Sequence, residues 1–175
     1  MAIRAIKKVD INGKAINKHA VWKKLNPGQI YFDSKFEWQC YKELKKAKFF
    51  FEKHPERREL VPAFNSLALS GGKSARKLFP SKVRPLTYTT DFAVYCNNGT
   101  TIFIEAKGFF HPDARIRYKL FQASMKTNEI SVLVMQKNGL QDMKGLIKII
   151  NEDFGGSTGV KVKKKERNNT NLDSI

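Results

Sequence analysis

Acids are what this sequence is short of. Sixteen Asp and Glu face 33 Lys and Arg, a formal charge of +17. Such an excess implies a polyanionic partner, with nucleic acid the first candidate and an anionic membrane surface the second. Long apolar runs are missing too, so no segment is expected to span a bilayer. Residues 1–8, Met-Ala-Ile-Arg-Ala-Ile-Lys-Lys, lack the apolar core and small-residue cleavage site of a secretory signal. Cysteine is scarce. Cys40 and Cys96 stand far apart without CxxC spacing, and are expected as small core residues in a reduced, cytoplasmic setting. What remains is the composition of one ordinary domain: 175 residues, 41% apolar.

The stretch that organises the chain runs from Thr87 to Gly108. It predicts two β-strands joined at Asn97-Asn98-Gly99, residues that tolerate the positive φ of a hairpin turn. On the second strand Thr101, Phe103, Glu105 and Lys107 point one way, and Ile102, Ile104 and Ala106 the other. A carboxylate and an ammonium thus share one face of a strand built for burial, with Asp91 on its partner. Burying charge is costly unless it is paired or holds a metal.

Around the hairpin, residues 1–29 form a basic arm with one acid, Asp10, closed by Asn26-Pro27-Gly28. The arm reads either as a solvated terminus or as a segment that contacts nucleic acid or exchanges between protomers. Residues 34–48 predict a helix with Ser34 as N-cap. Glu37 can close a capping box, yet it also falls on the inward stripe of Cys40, Tyr41, Leu44 and Ala47. Residues 49–54 and 59–67 predict strands, with Pro62 marking an edge or bulge in the second. Residues 70–85 form a basic loop with no acid. Its Gly71-Gly72-Lys73-Ser74 lacks the first glycine and the following helix of a phosphate loop, so a nucleotide site is excluded. Lys73, Arg76, Lys77, Lys82 and Arg84 suit a grip on a phosphate backbone instead.

Beyond the hairpin, Pro112 and Asp113 open a helix with an apolar stripe of Ala114, Tyr118, Phe121 and Met125. Arg115, Arg117 and Lys119 lie on its polar side, as DNA contacts or as a solvated face. Residues 130–135 read as a strand buried on both faces. Residues 140–154 predict a last helix, stopped by Gly155-Gly156. The organisation is then a basic arm 1–29, a domain 30–155 with its basic loop 70–85, and a basic, disordered tail 156–175. His54, beside Pro55, is expected to face solvent; His111 is a candidate phosphate contact.

Three acids and a lysine stand out: Glu37, Asp91, Glu105 and Lys107. Converging carboxylates can hold Mg²⁺, which prefers oxygen ligands. A metal so held lowers the pKa of a water and stabilises charge on a scissile phosphate, and a neighbouring lysine can contact either. Alternatively, Glu105 and Lys107 are a surface ion pair and Glu37 only a cap. The order and placement of Ser34-Lys35-Phe36-Glu37, Tyr88-Thr89-Thr90-Asp91-Phe92 and Ile104-Glu105-Ala106-Lys107-Gly108 resemble the PD-(D/E)xK nuclease superfamily, nearest to phage endonuclease I type Holliday-junction resolvases. Thr90 stands where many members have proline, and the loop 70–85 has no counterpart there.

The resemblance implies a restriction-endonuclease-like α/β core, a mixed central β-sheet flanked by helices. It assigns Asp91, Glu105 and Glu37 to the metal, Mg²⁺ with Mn²⁺ as a substitute, and Lys107 to the phosphate or the attacking water. It implies a metal-dependent endonuclease of branched DNA, phage-encoded, homodimeric, working in the cytoplasm of a bacterial host and not at a membrane. Two alternatives stand beside it: a duplex-cutting transposon-end or restriction-like nuclease, and a non-catalytic basic DNA-binding protein on a nuclease fold.

Overall fold

The computed structural model describes residues 8–16, 30–69 and 78–159. Lys73, Arg76, Lys77, the rest of the basic arm and residues 160–175 lie outside them. The described chain is mixed α/β. Ten strands form in order: β1 Val9–Asp10, β2 Tyr31–Phe32, β3 Phe51–Lys53, β4 Arg58–Val61, β5 Phe64–Leu69, β6 Leu78–Val83, β7 Leu86–Tyr88, β8 Phe92–Tyr95, β9 Thr101–Lys107 and β10 Glu129–Met135. Three helices accompany them: α1 Lys35–Lys46 between β2 and β3, α2 Pro112–Ala123 between β9 and β10, and α3 Gln141–Asp153 after β10.

The central sheet runs β10-β9-β8-β3 and is mixed. β8 and β9 form the expected hairpin, with Phe92 opposite Ile104 and Tyr95 opposite Thr101. Gly99 in the turn has a φ of +86°, which a residue without Cβ adopts freely. β10 pairs parallel to β9, and α2 supplies the crossover that a parallel pair needs.

Alternation along β9 divides the core into two layers. Ile102, Ile104 and Ala106 meet Phe36, Cys40 and Leu44 of α1, together with Met143, Leu146 and Ile150 of α3. Full burial contributes about 1.5–3 kcal/mol for each large side chain here. Phe103 on the other face joins Tyr88, Leu133 and Met135 under Tyr118 and Phe121 of α2. Both cysteines are buried and free, as expected of small core residues.

Several expectations need correction. The strand placed over 59–67 is two strands, because Pro62 interrupts the run between β4 and β5. The first hairpin strand is also broken: β7 leaves to pair with β4, and β8 begins only at Phe92. The loop placed over 70–85 contains a strand, β6, which pairs along its length with β5. β10 is not buried on both faces. It is an edge strand of the central sheet, and of its residues only Val134 is fully buried. Past the expected boundary at 155, Ser157 is buried and its hydroxyl bonds the carbonyls of Phe50 and Tyr95. Within the expected arm, Val9 and Asp10 pair with Phe32 and Tyr31 of the same chain.

Candidate active site

The break between β7 and β8 sets up the site. Continuing the hairpin register one step past Phe92 and Ile104 puts Asp91 beside Glu105. Asp91 therefore sits in the bend before β8, not on the strand. Its Oδ2 accepts the Ala106 N–H at 2.8 Å, standing in for a strand carbonyl. Both acids are buried, Asp91 at 7% and Glu105 at 2% exposure.

Lys107 closes the group. Its Nζ lies 2.6 Å from Glu105 Oε1 and 3.8 Å from Asp91 Oδ2. Glu105 Oε2 is buried without a hydrogen-bond partner. Burial, and next the neighbouring Glu105 charge, push the Asp91 carboxyl up to about 8 against the pull of Lys107 and the Ala106 N–H. Burial draws the Lys107 ammonium down, but Asp91 and Glu105 outweigh it and raise its pKa. Burial and then the Glu105 charge raise the Tyr88 phenol. One ammonium thus serves two buried acids, and the raised Asp91 carboxyl keeps its proton near neutral pH.

The group opens into a cleft of about 430 Å³, lined by Glu105, Lys107, Tyr88 and Thr89 with Arg57 and Arg117. Reading the sequence missed Arg57. It precedes β4, and only the β4–β7 pairing, itself not legible, brings it to the cleft. The sequence offers Tyr88 only as a flank of Asp91.

Residues 16–139 match DUF1064, a family described as "Protein of unknown function". The chain belongs to the DUF1064 family. The matched span contains Glu37, Asp91, Glu105 and Lys107, and it stops before α3. No curated protein and no solved structure matches the chain.

Glu37 is placed differently from the other three. Ser34 caps α1, its hydroxyl accepting the Glu37 N–H at 3.0 Å. Glu37 Oε2 reaches back to the N–H of Asp33, one residue before the cap, at 2.8 Å. Its Oε1 lies 3.0 Å from Lys53 Nζ and 3.5 Å from His54 Nε2. Burial acts against the Glu37 carboxylate, but His54 and Lys53 overcome it and hold its pKa below the usual value. The acids and imidazole that come within 4.8 Å of one another are Asp33, Glu37 and His54, not Glu37 with Asp91 and Glu105. The sheet itself explains this. α1 packs on the face of Ile102, Ile104 and Ala106, whereas Glu105 points to the face covered by α2. Glu37 acts on Asp91 and Lys107 through its charge. His54 is exposed, as expected, and its ring also borders this second cluster, with a φ of +50° and its backbone N–H on the Asp91 carbonyl.

The expected nucleic-acid contacts disperse. Arg117 lines the cleft. Arg115 and Lys119 are exposed on α2, and Arg115 Nε donates to the Phe110 carbonyl at 3.0 Å. Lys82 and Arg84 are exposed on and after β6, in the hairpin outside the central sheet. His111 is exposed at the start of α2, 3.7 Å from Asp113. Among the described residues no helix is long and apolar enough to cross a membrane.

Proposed function

We propose that this DUF1064 chain is a Mg²⁺-dependent endodeoxyribonuclease of PD-(D/E)xK type, built on a restriction-endonuclease-like core and acting on branched DNA. One observation carries the reading: two buried acids, in the bend before β8 and on β9, share the Lys107 ammonium at the wall of a cationic cleft. A purely structural ion pair has no use for a second buried carboxylate, or for an oxygen left without a partner.

The residues fit a hard divalent cation. The donors are carboxylate oxygens, Glu105 Oε2 is open, and a divalent cation would take the place of the proton on Asp91. Asp91 and Glu105 would hold it, Mg²⁺ or Mn²⁺, and the bound ion supplies a Lewis acid for the phosphate and a water of lowered pKa. The chain does the rest. The Ala106 N–H fixes Asp91. Lys107 exchanges its carboxylate partners for a phosphate oxygen or the attacking water, stabilising charge as it develops. Arg57 and Arg117 hold the flanking phosphates. Glu37 acts as a positioning residue, since its oxygens are committed to Asp33, Lys53 and His54. Two opposed nicks in a junction need two sites, so the reading includes a symmetric homodimer.

The test uses four-way junctions, linear duplex and single strands, with Mg²⁺ or EDTA, beside Asp91→Asn and Lys107→Ala. Metal-dependent junction nicking, lost in both variants while binding persists, is the expected result. Preferential duplex cutting replaces the branched substrate with a duplex one. No cleavage under any divalent metal overturns the enzyme and leaves a DNA-binding scaffold.

A further inference from the structure

We infer that Phe109 is a base-stacking residue, placed to receive an unstacked base of branched DNA beside the candidate active site. The inference deepens the nuclease reading and rests on it. Phe109 is 75% exposed, the most exposed large apolar side chain among the described residues. Water gains nothing from that ring, and the fold does not use it.

Its position is held from both sides. Two residues earlier, Lys107 is engaged by Glu105 and Asp91. The next residue, Phe110, is buried, its ring edge-on to Tyr118 with centroids 5.6 Å apart. Arg115 Nε fixes the Phe110 carbonyl, and the Arg115 N–H bonds the His111 carbonyl. A chain pinned before and after Phe109 keeps its ring turned outward.

The surroundings define the ligand. Lys107 lies two residues before Phe109, and Arg57 and Arg117 line the same cleft as Lys107. An exposed apolar ring two residues along the chain from a cation of that cleft suits a polymer that carries both phosphates and flat bases. An intact duplex hides its base faces by stacking. A branch point or an unpaired strand offers them, and an inserted aromatic side chain can take them up. An anionic membrane surface also accepts aromatic and cationic side chains, and vesicle binding is the competing outcome of the test.

The test reads binding, not cleavage. Full-length protein in EDTA is titrated into a four-way junction carrying 2-aminopurine at the branch, and into a linear duplex carrying the same base. Wild type is expected to change the junction fluorescence far more than the duplex signal. Phe109→Ala should bind the junction about tenfold more weakly, with little fluorescence change. Phe109→Trp should restore both, and Phe109→Leu should not. Equal junction affinity and signal for wild type and Phe109→Ala overturns the inference. So does loss of binding to phosphatidylserine–phosphatidylcholine vesicles in Phe109→Ala with junction binding untouched. If wild type binds and stacks but never cleaves with Mg²⁺, the nuclease reading fails while the stacking residue stands.

Discussion

The Lys107 ammonium sits 2.6 Å from Glu105 Oε1, and it is also the cation nearest Asp91 among the ion pairs of the described residues. With two buried carboxyls on one lysine, the metal-free protein holds Asp91 protonated near neutral pH, which costs folding stability because the unfolded carboxyl is ionised there. Asp91→Asn removes that cost and keeps a carbonyl oxygen for the Ala106 N–H. The variant is therefore expected to melt at a higher temperature than wild type in EDTA. Wild type should gain about 1.4 kcal/mol from Mg²⁺ at ten times its dissociation constant, and the variant should gain none. Thermal denaturation with and without Mg²⁺ checks both. An equal Mg²⁺ response in the two proteins removes Asp91 from the metal site.

Glu37 should behave in the opposite way. Its carboxylate neutralises Lys53 and bonds the Asp33 N–H, so Glu37→Gln strands a mostly buried ammonium. A loss of about 2–4 kcal/mol is expected, in EDTA and in Mg²⁺ alike. Urea unfolding under both conditions measures it. A loss confined to the Mg²⁺ series would return Glu37 to the metal ligands.

How much of this could be read from the residues differs from part to part. The β8–β9 hairpin was legible because Asn97-Asn98-Gly99 and the alternation over 101–107 are local signals. α1 was legible down to its Ser34 cap. The division of the chain after Tyr88 was not, since it follows from β7 pairing with β4, some thirty residues away. β6 was hidden because its Pro80 and the lysines around it argue locally for a loop. For Glu37, helical periodicity gave its burial but not its partners. Which sheet face α1 covers decides those, and no spacing within α1 encodes it.

The cysteines offer a check on the core. Burial, and next the Asp91 and Glu37 charges, push the Cys40 thiol up to about 12, and burial also raises Cys96. The thiolate is the reactive form, so neither should react while the chain is folded. Ellman's reagent at pH 8 is expected to label both only in denaturant. Stoichiometric labelling of the native protein would show that the layer between α1 and β9 opens readily.

Acid should weaken the far end of the fold through Glu129. Its Oε1 lies 2.8 Å from Arg58, whose guanidinium stacks on Phe103 and Phe121 at 5.2 and 5.1 Å. Its other oxygen accepts the Lys126 N–H at 2.9 Å. Burial alone would raise the carboxyl, but the Arg58 and Lys126 hydrogen bonds win and hold it below its ordinary 4.5. A depressed carboxylate contributes stability that is complete above the ordinary value and drains as pH falls through the folded one. Glu129→Gln should therefore be less stable than wild type by about 1 kcal/mol at pH 6, a gap expected of a partly exposed charged hydrogen bond. The gap should narrow steadily from pH 5 to pH 3, while carboxylates common to both proteins cancel in the difference. Urea denaturation at each pH gives that difference directly, and a gap that stays constant down to pH 3 would mean that Glu129 titrates as it does in the unfolded chain.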